Sequence, residues 1–269
     1  MTPSRIHTAV AERGIALGST AQLNAPEICE LQSAAGLDFV FIDMEHGSLG
    51  IDAVASMIRG VQAGGTAAPI VRIPDSSPSL IARVLDAGAH GIVVPHIETK
   101  QQMQEIVAAA HFAPRGTRGA CPTIRANAHG VHGWPEYAEW AADNILLCGT
   151  IESELGLKNY EEILSVAGLN AIAIGTFDLS LAMGLGGNYK HPDVNAKFLA
   201  LAQSARRKNI DVLAAILDVS QIASELRRLR QAGVRLVLYP GDRFLLSATY
   251  RNAVAAATET LAAAKPANN

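Results

Sequence analysis

Asp43, Glu45 and His46 fall within four positions of "FIDMEHG" (41–47), at the end of an apolar run. Two carboxylates beside an imidazole can hold a cation or move a proton near neutral pH. Other apolar runs carry polar residues in the same way. Arg72 sits inside "PIVRI", His96 and Glu98 follow "GIVVP", Thr150, Glu152 and Glu154 lie on or behind "ILLCGTI", Asp178 follows "AIAIG", and Asp242 follows "RLVLYP". Glu152 is the hardest of these to read as a surface charge, because burying a carboxylate behind such a run is costly without a compensating cation or donor. A metal ion supplies that compensation most simply. Glu152 with Asp178 would make a hard-oxygen pair that leaves positions for water and substrate, which suits magnesium, manganese or cobalt better than zinc or copper.

Each residue also has a plainer reading. His46 alone could be a core histidine satisfied by a backbone carbonyl, whereas beside two acids and opposite a metal it reads as a general base. Arg72, inside an apolar strand, needs an anionic partner, either Asp43 or a substrate oxyanion, and both roles are compatible. Asp178 by itself could be only a helix N-cap, and Asp242 is read as a cap. Glu154 is expected to begin the following helix, where its charge suits the helix dipole. Asp86, in "RVLDAG", is by pattern a solvated carboxylate near a helix end. Lys100, Lys158 and Lys190 fall in helix or loop stretches, which argues against a Schiff-base mechanism, since that route needs a desolvated amine near the reacting centre.

The elements that must position these residues are eight apolar runs: 15–19, 39–43, 69–73, 91–95, 145–151, 171–175, 212–217 and 235–240. They are apolar almost continuously, as expected of parallel strands covered on both faces. Between them lie helix-length segments. "SLIARVLDAGAHG" and "SQIASELRRLRQAG" end in plausible C-cap glycines, Gly88 and Gly233, and "TKQQMQEIVAAAHF" opens on Thr99, a good N-cap residue. This alternation predicts one α/β domain, 1–269, folded as a (β/α)8 TIM barrel, with the chemistry at the C-terminal ends of the strands. The stretch from about 112 to 143 is rich in Gly and Pro until Pro135 and is expected to form a lid or an intersubunit arm. The polar tail after Lys265 is expected to fray.

Composition narrows the classes. Of 269 residues, 49% are hydrophobic and 17% charged, enough apolar material for a large core. The net charge is -3 and no basic stripe is visible, which excludes nucleic acid as an expected partner. No stretch is long and apolar enough to cross a bilayer and the N-terminus lacks a signal-like core, so a soluble cytoplasmic protein is expected. Cys29, Cys121 and Cys148 are odd in number and widely spaced, and read as reduced thiols rather than as a disulfide or zinc framework.

Five collinear blocks, "FIDMEHG" (41–47), "VRIP" with "VLDAGAHGIVVPHIETKQQ" (71–74, 84–102), "APRGTRG" (113–119), "IESELGLKNYEEIL" (151–164) and "GTFDLSLAMG" (175–184), resemble the HpcH/HpaI family of class II, metal-dependent pyruvate aldolases. The resemblance implies a phosphoenolpyruvate/pyruvate-type barrel, a hexamer built as a trimer of dimers, and an exchanged C-terminal helix. It implies reversible cleavage of a 4-hydroxy-2-oxo acid to pyruvate, or a related 2-oxo acid, and an aldehyde, through an enolate held at a divalent metal (Mg2+, Mn2+ or Co2+). Such activity belongs to routes like aromatic catabolism. His46 would be the catalytic base, assisted by Asp86 reaching a neighbouring subunit's site, and Arg72 would stabilise the oxyanion. Glu152 and Asp178 would be metal ligands. Thr150, Phe177 (through its backbone) and Asp178 would line the oxo-acid pocket. Thr150 stands where the family commonly has glutamine, and Gly175-Thr176 where it has Gly-Pro, so both departures touch substrate choice. The rival readings are a CoA-thioester lyase of the citrate-lyase β type, for which no basic patch is evident, and a barrel that binds an oxo acid without turning it over. The acid, base and arginine set favours catalysis.

Overall fold

The computed structural model describes residues 1–263, so the tail after Lys265 lies outside the described residues. Eight parallel strands, β1 (Ala16–Ala21), β2 (Phe39–Asp43), β3 (Ala68–Arg72), β4 (Gly91–Val94), β5 (Leu146–Ile151), β6 (Ala171–Ile174), β7 (Asp211–Ala215) and β8 (Leu236–Tyr239), close in sequence order, with β8 pairing back onto β1. All eight expected strands are present, with ends shifted by at most two residues. The helices are α1 (Arg5–Arg13), α2 (Pro26–Ala34), α3 (Ile51–Gly64), α4 (Pro78–Asp86), α5 (Lys100–Ala110), α6 (Trp134–Asn144), α7 (Glu154–Ile163), α8 (Thr176–Ala182), α9 (Pro192–Arg207), α10 (Ile222–Gln231) and α11 (Asp242–Ala263).

Two cores explain the continuous apolar runs. Val40 and Ile42, Val71, and Leu147 and Ile151 face the helices, while Phe39 and Phe41, Ala68 and Ile70, and Leu146 and Cys148 fill the barrel interior. Because side chains alternate along a strand, the interior parity of 39, 41 and of 146, 148 extends to Asp43, Thr150 and Glu152. That of 68 and 70 extends to Arg72. Gly88 (φ 103) and Gly233 (φ 84) follow α4 and α10, where the left-handed turn that ends a helix strains any residue with a Cβ. Thr99 caps α5 by accepting from the backbone N–H of Gln102.

The base of the barrel is plugged by α1, whose Ile6 and Ala9 pack against the interior cluster. The 112–143 segment also lies at this end. It contains a 3-10 turn at Arg125–Gly130 followed by α6. Arg125 Nη1 donates to the carbonyl of Ala87 at 2.9 Å, and Trp140 Nε1 donates to that of Thr2 at 2.7 Å. The expectation of a lid is therefore corrected for this chain's own mouth. Having run down α5, the chain is at the N-terminal end of the strands when the segment begins.

The last helix departs from the barrel. From Arg243 through Leu261 nearly every residue of α11 is exposed, including Phe244, Leu245, Tyr250, Val254 and Leu261. Among the described residues no helix is long and apolar enough to cross a membrane.

Candidate active site at the barrel mouth

Asp43, at the end of β2, is fully buried and organises one side of the mouth. Its Oδ1 accepts from Arg72 Nε at 2.8 Å and its Oδ2 from Arg72 Nη2 at 2.7 Å, a bidentate fork across the β2–β3 register pair. Gln22 Nε2 donates to the same carboxylate at 2.8 Å, and the backbone N–H groups of Glu45 and His46 donate at 3.1 and 3.3 Å. Burial opposes ionisation of Asp43, but the hydrogen bonds and charge of Arg72 outweigh it and hold the carboxyl below its ordinary range. The structural partner of Arg72 is thus Asp43. Its third nitrogen, Nη1, lies 3.1 Å from Glu45 Oε2.

Glu152 faces this group from β5, only 7% exposed. One of its oxygens, Oε1, accepts from the backbone N–H of His96 at 2.8 Å and lies 3.0 Å from His96 Nδ1. The other, Oε2, lies against Gly175, where a Cβ would come within 2.6 Å of it. Only glycine lets the carboxylate stand there. Burial pushes the Glu152 carboxyl above its ordinary range against the lowering pull of His96, and the charges of Asp178 and Glu45 push it the same way. Asp178 is exposed in the first turn of α8, where no side chain caps the helix. The cap reading of Asp178 therefore fails. Thr150 is buried, and among the described residues its hydroxyl has no hydrogen-bond partner.

His46 is no core histidine, since its side chain is 60% exposed with Nε2 3.8 Å from Glu45 Oε2. Its loop is held from the far side of the chain. Arg243 Nη1 donates to the His46 carbonyl at 3.0 Å, and Asp242 accepts from the backbone N–H of Gln22 and Leu23. Asp242 is thus a tie between the β1 loop and the start of α11 rather than a simple cap. Phe177 is half-exposed beside Gly187. Asp86 is not brought to this mouth. It ends α4 at the base, paired with Arg118 at 2.6 Å. His96, which pattern reading left without a role, stands between Glu152 and Glu45, its Nε2 3.4 Å from Glu45 Oε1. A histidine directly after a strand and 56 residues before the acid it binds gave only its location as a signal.

The donor set fits a divalent cation. Burial and the charges of Asp178 and Glu45 raise the cost of ionising Glu152, and a cation would relieve that cost. Among the described residues no three metal-binding side chains form a ready cage. A hard cation held by one or two carboxylates, with water and substrate oxygens completing the shell, needs none.

Residues 20–239 match the pattern of the HpcH/HpaI aldolase/citrate lyase family. The chain is 33% identical over 192 residues to a 5-keto-4-deoxy-D-glucarate aldolase of Salmonella arizonae, covering 71% of this chain and 74% of that protein. It is 29% identical over 242 residues to the protein of that name from Salmonella paratyphi C, covering 89% and 91%. Among solved structures, an HpcH/HpaI aldolase/citrate lyase family protein from Burkholderia cenocepacia superposes with a TM-score of 0.85 at 27% identity, covering 95% of this chain and 99% of that one.

Proposed function

The chain belongs to the HpcH/HpaI aldolase/citrate lyase family, and from that premise we propose that it is a carbon–carbon lyase working as a divalent-metal aldolase. It would reversibly cleave a 4-hydroxy-2-oxo acid to pyruvate, or a related 2-oxo acid, and an aldehyde. The observation that carries this reading is the buried Glu152 carboxylate, crowded by the charges of Asp178 and Glu45 at the mouth of the barrel.

Glu152 and Asp178 would hold Mg2+, Mn2+ or Co2+, which when bound supplies Lewis-acid polarisation of the keto group. Arg72, whose Nε and Nη2 are fixed on Asp43 and whose Nη1 lies 3.1 Å from Glu45, would meet the charge that develops on the keto oxygen with its remaining N–H groups. His46 would accept the proton of the 4-hydroxyl on its imidazole as the bond between the third and fourth carbons breaks, with Glu45 near enough to compensate the imidazolium charge. In the reverse direction the same imidazole returns the proton. The unpartnered Thr150 hydroxyl is free to take a polar atom of the oxo acid, and Phe177 would border that pocket.

The relatives named 5-keto-4-deoxy-D-glucarate aldolase make a hydroxylated dicarboxylate the first substrate to assay, ahead of the oxo acids of aromatic catabolism. The exposed apolar positions of α11 support exchange of that helix with a second copy within a hexamer, and Asp86 would then serve a neighbour's mouth from the base of its own barrel. The test is chelation. Treated protein should lose pyruvate-forming cleavage and regain it with manganese, cobalt or magnesium, whereas unchanged turnover after metal removal refutes the metal role.

A further inference from the structure

His96 is placed unlike any other residue of the mouth. It is a non-glycine residue in the left-handed region, φ 55, a conformation that costs free energy and persists where surrounding contacts impose it. Those contacts are specific. Its backbone N–H and its Nδ1 both address the same Glu152 oxygen, Oε1, at 2.8 and 3.0 Å. Its carbonyl accepts from Gln102 Nε2 at 3.1 Å, and Gln102 Oε1 accepts from the backbone N–H of Glu98 at 2.9 Å, so the turn is braced from α5. The far ring nitrogen reaches Glu45 Oε1 at 3.4 Å, and Glu45 reaches Arg72. Yet the His96 side chain is 67% exposed, so the fold does not need it as filler.

We propose that His96 is a positioning residue that divides the labour of the Glu152 carboxylate, occupying Oε1 so that Oε2, lying against Gly175, is the oxygen offered to the cation. This rests on the reading of Glu152 as a metal ligand. Donors to the non-coordinating oxygen of a ligand carboxylate fix its orientation, and removing such outer partners weakens metal binding by about 10–100-fold. Through Glu45 the same ring joins the metal side of the mouth to Arg72, so the two groups that meet the oxo acid move together.

Two substitutions separate the functions of the ring. His96→Phe removes both nitrogen contacts. His96→Asn keeps a donor near the place of Nδ1, tolerates the left-handed backbone, and cannot reach Glu45. Manganese binding to the substrate-free protein, followed by calorimetry, should weaken by about 10–100-fold in His96→Phe and stay within about threefold of the original protein in His96→Asn. In kinetics at saturating manganese, His96→Asn should raise KM for the oxo acid with little change in kcat, because it breaks only the link to Glu45 and Arg72. Unaltered manganese affinity in His96→Phe overturns the inference, as does an equal loss in both variants. Glu152→Gln tells the two failures apart. If it abolishes manganese binding while His96→Phe does not alter it, the metal site stands and the role of His96 falls; if it leaves binding intact, the metal site falls and takes this inference with it.

Discussion

Two carboxylate–guanidinium pairs occupy opposite ends of the barrel with their burial reversed. At the mouth, the side chain of Asp43 is 0% exposed and that of Arg72 20%; at the base, that of Arg118 is 0% exposed and that of Asp86 32%. At the mouth a buried acid fixes a partly exposed arginine, while at the base a buried arginine fixes a partly exposed acid. Arg118 is packed on the Phe112 ring at 4.5 Å, and among the described residues its Nε and Nη1 have no hydrogen-bond partner. One end therefore keeps a guanidinium partly exposed among carboxylates, and the other keeps a carboxylate partly exposed over a buried guanidinium. That is the arrangement expected if the oxo acid binds at the mouth and Asp86 acts on a second copy.

The comparison breaks first at the metal. Glu152→Gln should abolish manganese binding and lower turnover by about 10³-fold or more, the loss of several kcal/mol of transition-state stabilisation; retained affinity with full turnover would move the cation elsewhere. Next is Arg72→Lys, which keeps the charge and loses the fork. We expect kcat to fall by about 10²–10³-fold, with a lower melting temperature because Asp43 is left with unfilled acceptors. A variant with normal turnover would reduce Arg72 to a structural partner.

The base is tested by mixing. Asp86→Ala and His46→Ala proteins should each be nearly inactive. If Asp86 works on a neighbour, refolding them together should restore measurable turnover in sites that combine an intact His46 with an intact Asp86. No recovery in hetero-oligomers would confine Asp86 to its own barrel base.

The smallest effect concerns His90, edge-on to Trp140 at the base. Burial pushes its imidazole from 6.5 down to about 4. The unfolded chain therefore takes up a proton near pH 6.5 that the folded chain refuses until about pH 4, and stability from this group is full above that window and lost as pH falls through it. The loss should amount to about 3 kcal/mol, and His90→Phe should flatten the slope of unfolding free energy between those pH values. An unchanged slope would assign acid sensitivity to the carboxylates.

The barrel was legible because buried parallel strands leave continuous apolar runs, and because Thr99, Gly88 and Gly233 mark helix ends by mechanisms that operate locally. Asp43, Arg72 and Glu152 were legible for a related reason, since alternation within a strand carries their direction. What escaped depends on how distant segments meet. His96 turns back onto Glu152 through a left-handed backbone that no run of residue types announces. The 112–143 segment was read from its composition as a lid or an intersubunit arm, and its place after a helix and before a strand, which puts it at the base, removes only the lid over this chain's own mouth. Asp86 looked like a solvated acid, and its burial partner, Arg118, lies 32 residues away.

The first two residues of α11 are fastened to the loops behind β1 and β2, Asp242 to Gln22 and Leu23, and Arg243 to the carbonyls of Gln22 and His46. A long rod free along most of its length and bolted at one end works as a lever. Whatever grips the outer turns of that rod would pull on the loop that carries His46, the proposed base.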